Sequence, residues 1–154
     1  MDTKQLQEFL DNSIVAMRDK AMKTSKQLSL GELILKLEAV KNKNLLVYYD
    51  DKKFAPTNSF LSWRGSYREL AMDYEKTASY TVKDILEAAK ETIGKTLGGY
   101  KGGDYLMGKN TPIWVANWGE SSGFKHTRTK YSQAVVDVQK LKTSVIIVTE
   151  PMDY

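Results

Sequence analysis

Six aromatic residues, Trp63, Tyr67, Tyr100, Tyr105, Trp114 and Trp118, sit in or beside glycine-containing segments, with Arg64 and Lys101 among them. Flat rings stack on bases, a guanidinium forks onto phosphate or carboxylate, and glycine lets backbone N–H groups approach an anion. Together these are the parts of a pocket for a nucleotide-like small molecule. The residues assigned to ligand binding are Trp63, Arg64, Tyr67, Tyr100, Lys101, Tyr105 and Trp118. The competing reading is structural: Trp114 and Trp118, four apart and so on one face of an extended strand, are core, and the glycines only turn the chain.

Catalytic patterns are weaker. Gly94-Lys95-Thr96 matches the end of a phosphate-binding loop, but the glycine required five residues earlier is Ala89, and a helix rather than a strand precedes it. Gly119-Glu120-Ser121-Ser122-Gly123 fits a nucleophile elbow literally. The helix that must follow is missing from Phe124 to Lys130, and His126, the single histidine, is too near in sequence to serve as its base. A tight turn explains those glycines equally well. With no cysteine and one histidine, a typical zinc site cannot be built. Asp50, Asp73, Asp104 and Glu120 are the carboxylates on which metal-dependent chemistry on nucleotides or nucleic acid would have to rest, provided that at least two share a cation. No catalytic residue, metal site or cofactor is assigned, and binding is favoured over catalysis.

These residues need a scaffold, and 154 residues suffice for one domain with a real core. Apolar residues make up 42% and charged residues 27%, both near globular averages. No apolar run approaches the roughly 18 residues of a membrane span, and the polar start Met1–Gln5 lacks a signal-peptide layout. The expected compartment is the cytoplasm. A net charge of +4 is mild; it serves solubility and does not favour nucleic-acid binding.

Residues 2–24 carry an irregular helical stripe of Leu6, Phe9, Leu10, Val15, Met17 and Met22, suited to core packing or to a partner helix. Ser29 and Glu32 form a capping-box pattern before Leu30, Leu33, Ile34 and Leu37. Thr81 and Asp84 repeat it before Val82, Ile85, Leu86, Ala89 and Ile93, with Gly94 as the stop. The likeness suggests two related helix-then-strand units. Leu45–Tyr49 predicts a buried strand, residues 50–58 a loop, and 59–75 either a strand or a short helix after Gly65. Residues 94–110 hold six of the ten glycines. Strands follow at 111–118, 134–138 and 144–148, the last two joined as a hairpin by 140–143. The predicted fold is α+β, with helices packed on a mainly antiparallel sheet of four or five strands. Residues 1–28 form an N-terminal helical extension and 29–154 a single domain.

Three stretches carry a resemblance. Trp63-Arg64-Gly65-Ser66-Tyr67 with Leu70-Ala71 and Tyr74, Gly99-Tyr100-Lys101-Gly102-Gly103-Asp104-Tyr105 with Met107, and Thr111-Pro112-Ile113-Trp114-Val115 followed by 119–123 resemble a pattern in small bacteriophage- and prophage-encoded proteins of unknown function. The likeness covers about residues 29–123 and the strand at 135–138. The added N-terminal helix and Trp63, where tyrosine is expected, depart from it. The resemblance implies a phage origin and carries over no catalytic residue.

The expectation is therefore a phage accessory protein acting in the host cytoplasm, countering host defence by binding a nucleotide-derived small molecule or blocking a host protein. A pure protein-contact inhibitor, using the N-terminal helix or a sheet edge, is the alternative; a carboxylate-dependent enzyme is the third reading. Assembly as a homo-oligomer stays open.

Overall fold

The computed structural model describes residues 2–6, 25–50, 52–63, 69–98, 104–116 and 131–153, with the backbone alone at 104, 131 and 153. Both capped helices form where their sequences direct. In α1 (Leu30–Glu38) the Glu32 amide donates to Ser29 Oγ at 3.2 Å, and the Ser29 amide donates to Glu32 Oε1 at 3.1 Å. Thr81 and Asp84 make the same reciprocal pair at 3.3 and 3.0 Å at the start of α2 (Val82–Thr92). Each box satisfies donors that a helix start leaves open. Past α2, Gly94 takes φ +76°, which favours glycine and stops the helix.

Among the described residues eight strands accompany them: β1 (Leu46–Tyr49), β2 (Ala55–Ser62), β3 (Leu70–Glu75), β4 (Thr96–Gly98), β5 (Asp104–Leu106), β6 (Ile113–Val115), β7 (Tyr131–Lys140) and β8 (Ser144–Asp153). They overturn the expectation of helices packed on a mainly antiparallel sheet of four or five strands. Six of them form one sheet in the order β1-β8-β7-β6-β3-β2, and strand predominates over helix. The sheet is mixed, since β1 pairs parallel with β8 and β3 parallel with β6. Turn-type residues at Pro56, Thr57 and Asn58 disguise β2 as a loop. Its place at the end of the strand order and a bulge between Pro56 and Phe60 make the proline tolerable. The glycine-rich stretch contains β4 and β5, a separate antiparallel pair. The strands that follow α1 and α2 thus enter different sheets, so the likeness of the two helix starts is capping chemistry and not a repeated unit.

The six-stranded sheet curls into a nearly closed barrel. Its end strands β1 and β2 meet through a turn in which the Tyr49 N–H donates to Phe54 O at 2.9 Å. The open edge of β1 is covered by chain leading into α2: the Val47 N–H donates to Tyr80 O at 3.1 Å and the Val82 N–H to Leu45 O at 2.9 Å. A second seam lies between β6 and β7, which pair only at Trp114 and Ala134. Residues 27–30 fill it. The Leu28 N–H donates to Val135 O at 2.7 Å, the Ile113 N–H donates to Leu28 O at 3.2 Å, and the Gln27 side-chain amide donates to Ile113 O at 2.9 Å. Gln27 and Leu28 are thus buried members of the barrel wall.

Alternation along the strands separates two faces. On one, Val47, Tyr49, Leu70, Met72, Ile113, Val115, Val135, Val145 and Ile147 join Leu30, Leu33 and Leu37 of α1 and Val82, Ile85 and Ala89 of α2 in the main core. Each fully buried Leu or Ile there contributes about 1.5–3 kcal/mol. On the other, Trp63, Ala71, Trp114, Ala116 and Ala134 form a smaller cluster. Lys90 Nζ on α2 meets Glu38 Oε1 on α1 at 2.7 Å at the surface, and that hydrogen bond and charge hold the Glu38 carboxyl below its ordinary pKa.

Helix α1 docks through its first amides. The Leu30 N–H donates to Thr111 O and the Gly31 N–H to Lys109 O, both at 2.9 Å. A Cβ at Gly31 would stand 3.0 Å from that same Lys109 oxygen. Gly31→Ala should therefore destabilise the fold by about 1–2 kcal/mol, because crowding against a fixed backbone outweighs a helix-propensity gain of at most about 1 kcal/mol. Urea unfolding of the variant against the native chain measures it; a gain in stability would mean that the Lys109 turn yields freely.

Candidate functional site

The base of the segment carrying Arg64 and Tyr67 is a closed circuit of three residues. Strands β2 and β3 pair up to Ser62 and Leu70, and beyond them the Trp63 N–H donates to Glu69 O at 2.8 Å. Ala71 stands opposite Trp114 across the parallel β3–β6 pair. The Trp63 ring lies on the Trp114 ring with centroids 4.6 Å apart and planes 13° from parallel. Trp114 Nε1 donates to Glu69 Oε1 at 3.0 Å. Glu69 thus holds one tryptophan by its carbonyl and the other by its carboxylate. The small side chains of Ala71, Ala116 and Ala134 leave room for the rings, each of which is 2% exposed. This circuit pins both ends of 64–68 to each other and to β6, two residues before the chain leaves the sheet at Ala116.

Of the seven ligand-binding residues expected from sequence, Trp63 and Tyr105 are described. Trp63 packs on Trp114 in the smaller cluster. Tyr105, opposite Leu97 in the β4–β5 pair, lies half-buried against the main core. The two are not brought together. Arg64, Tyr67, Tyr100, Lys101 and Trp118 lie outside the described residues, as do Ser121, Glu120 and His126. The phosphate-loop candidate, 94–96, is the tight exit from α2: the Gly94 N–H donates to Met107 O at 2.8 Å and the Met107 N–H to Lys95 O at 2.9 Å. Those bonds hold the β4–β5 pair and present no cradle of amides.

Of the four candidate metal carboxylates, Asp50 and Asp73 are described with their side chains. Asp50 Oδ1 accepts from the Thr149 N–H and Oδ2 from the Thr149 hydroxyl, both at 2.5 Å. Asp73 Oδ2 accepts from Thr57 Oγ1 at 3.3 Å and its Oδ1 from the Tyr74 N–H at 2.8 Å. Among the described residues no three of His, Cys, Asp and Glu gather as a metal site would require. Between the two aspartates lies Tyr49, whose hydroxyl donates to Asp73 O at 2.8 Å. Complete burial, then the charges of Asp73 and Asp50, push the Tyr49 phenol well above its ordinary pKa. This arrangement is a structural polar plug. It has a neutral phenol donor at its centre.

Sequence reasoning singled out neither Glu69 nor Thr149. Glu69 had one available signal, a lone carboxylate between the aromatic Trp63 segment and an apolar strand. No protein-family profile, curated protein or solved structure matches this chain. No helix among the described residues is long and apolar enough to cross a membrane.

Two measurements test these contacts. Trp114→Phe keeps a ring in the stack but removes the donor to Glu69. It should cost about 1–2 kcal/mol in urea unfolding, and Glu69→Gln, which retains an acceptor, should cost less. Equal losses would mean that the Trp114–Glu69 bond contributes nothing. For Tyr49, the raised pKa stabilises the fold fully below the unfolded value near 10, and the stability is lost as pH climbs from there through the folded value. An ultraviolet titration of the native chain against Tyr49→Phe should show the Tyr49 phenol protonated until the chain unfolds in alkali. Ionisation of Tyr49 in the folded state at its ordinary pKa would contradict the burial.

Proposed function

We propose that this chain is a bacteriophage accessory protein that counters host defence by binding, and that it sequesters a nucleotide-derived small molecule on the segments its barrel carries. The observation behind the reading is the Trp63–Glu69–Trp114 circuit. Sites of recognition concentrate on loops fixed to a rigid scaffold, and precise binding needs anchor points whose own rotamers are locked. Here a buried ring stack and two hydrogen bonds fix the ends of the segment that carries Arg64 and Tyr67. An arginine suited to phosphate and a ring suited to a base follow directly on that base. The phage assignment rests on the resemblance of the Trp63–Tyr67, Gly99–Tyr105 and Thr111–Val115 stretches. Trp63 and Trp114 act in this reading as supports, and direct contact falls to Arg64, Tyr67, Tyr100, Lys101 and Trp118.

A thermal-shift screen against nucleotides, cyclic nucleotides and ADP-ribose derivatives tests it. A ligand at about 100 times its Kd should stabilise the fold by about 2.7 kcal/mol. Arg64→Ala and Tyr67→Ala should abolish that shift while leaving the melting temperature without ligand unchanged. Chromatography of the recovered ligand separates sequestration from turnover. No shift with any member of the panel would overturn the small-molecule reading and transfer the activity to a host protein target.

A further inference from the structure

Strands β1 and β8 run parallel with Leu46 beside Ser144, so the residues that precede each strand leave the sheet at the same end. Before β1 comes the stretch 39–45. Before β8 comes the turn of the β7–β8 hairpin, which the Leu141 N–H closes on Ser144 O at 2.8 Å. The first turn of α2 reaches the same place, since the Lys83 N–H donates to Lys43 O at 2.9 Å and Thr81 bridges to Leu46. Three elements thus deliver Lys41, Lys83, Lys140 and Lys142 to one end of the barrel, all of them exposed. Lys43 stands among them with its ammonium on Glu38 O and Val40 O at the end of α1.

This charge is largely unanswered. Residues 39–49 and 138–149 contain no carboxylate. Glu38 is paired with Lys90, Asp137 with Lys36, and Asp84 is held in the Thr81 cap. Among the described residues the side chains of Lys41, Lys83, Lys140 and Lys142 form no ion pair. Glu87, one helical turn beyond Lys83, is exposed and offsets a single charge at most. Among the cations lie two leucines. Leu46 is 36% exposed, and Leu141, between Lys140 and Lys142 in the hairpin turn, is 40% exposed.

We propose that this end of the barrel docks on the surface of an anionic lipid membrane, with Leu141 and Leu46 entering the headgroup layer and the lysines meeting the lipid charges. Lysine stems lie along apolar surface while their ammonium groups stay at the headgroups, and each lysine near an anionic leaflet strengthens the attachment. An apolar anchor combined with a basic patch supplies the two signals that hold a protein at a membrane. The docking is peripheral and needs no spanning helix. The leucines decide between lipid and nucleic acid, because they gain nothing against a phosphate backbone. No arginine, whose planar fork suits nucleic acid, stands among these cations. The inference is independent of what the protein sequesters.

Sedimentation with vesicles tests it. The native chain should sediment with vesicles of equal parts phosphatidylcholine and phosphatidylglycerol, should stay in solution with vesicles of phosphatidylcholine alone, and should be released by salt. Lys140→Gln and Lys142→Gln should each lower the partition coefficient about fivefold. Leu141→Ser, which keeps every charge, should lower it as well. Lys95→Gln, beyond the far end of α2, should leave it unchanged and controls for net charge. The three patch substitutions fall in an exposed turn, and circular dichroism establishes that each variant is folded. No sedimentation of the native chain with the anionic vesicles, or native-level sedimentation of the three patch variants, would overturn the proposal. A duplex oligonucleotide bound in place of the vesicles would assign this face to nucleic acid and overturn it too.

Discussion

Leu28 lies between two strands that do not pair with each other at its level. Its N–H goes to Val135 on β7 and its carbonyl accepts from Ile113 on β6. A buried backbone group left without a partner costs about as much as a lost hydrogen bond. A barrel whose strands splay can therefore exist only if something else fills the gap. Here residues 27–30 fill it at β6–β7, and residues 80–82 do the same for the open edge of β1. Each filler is the lead-in to a capped helix, so the bonds that seal the wall also fix where α1 and α2 begin. The helix faces Leu30–Leu37 and Val82–Ala89 then arrive over the inner face already in register with it.

Sealing from within leaves the second face of the sheet to a different set of residues. Three alanines, from β3, from the end of β6 and from β7, make a shallow bed on which Trp63 and Trp114 stack, and Glu69 ties both rings to the start of β3. The aromatic residues thus divide by position. Trp63 and Trp114 are consumed in packing against each other and the alanines, and Tyr105 packs against the main core.

The polar groups near the β1–β2 turn follow the same logic of satisfaction. Tyr49 is wholly buried, yet its hydroxyl has a carbonyl to donate to, and Asp50 is matched by both donors of Thr149. Adjacent carboxylates in a loop would ordinarily face water, and Asp51 beside Asp50 makes the pair look like a solvated turn. The neighbouring strand β8 is what gives Asp50 another use, as the acceptor for the Thr149 N–H and hydroxyl.

The sequence by itself determined the parts whose cause lies within four residues. Ser29 with Glu32, Thr81 with Asp84 and the stop at Gly94 are short-range chemistry, and they placed both helices. Apolar runs placed β1 and the β7–β8 hairpin. Only the tertiary structure decided that β2 is a strand despite Pro56, that β1–β8 and β3–β6 run parallel, and that residues 27–30 belong to the wall. It alone decided that Glu69 meets Trp114 and that Asp50 meets Thr149. Those partners stand far apart in the chain, 45 positions for Glu69 and Trp114 and 99 for Asp50 and Thr149. A local pattern states that a residue wants a partner of a given kind. Which residue supplies it depends on strand order and register, and these are set by the simultaneous burial of both faces of the sheet.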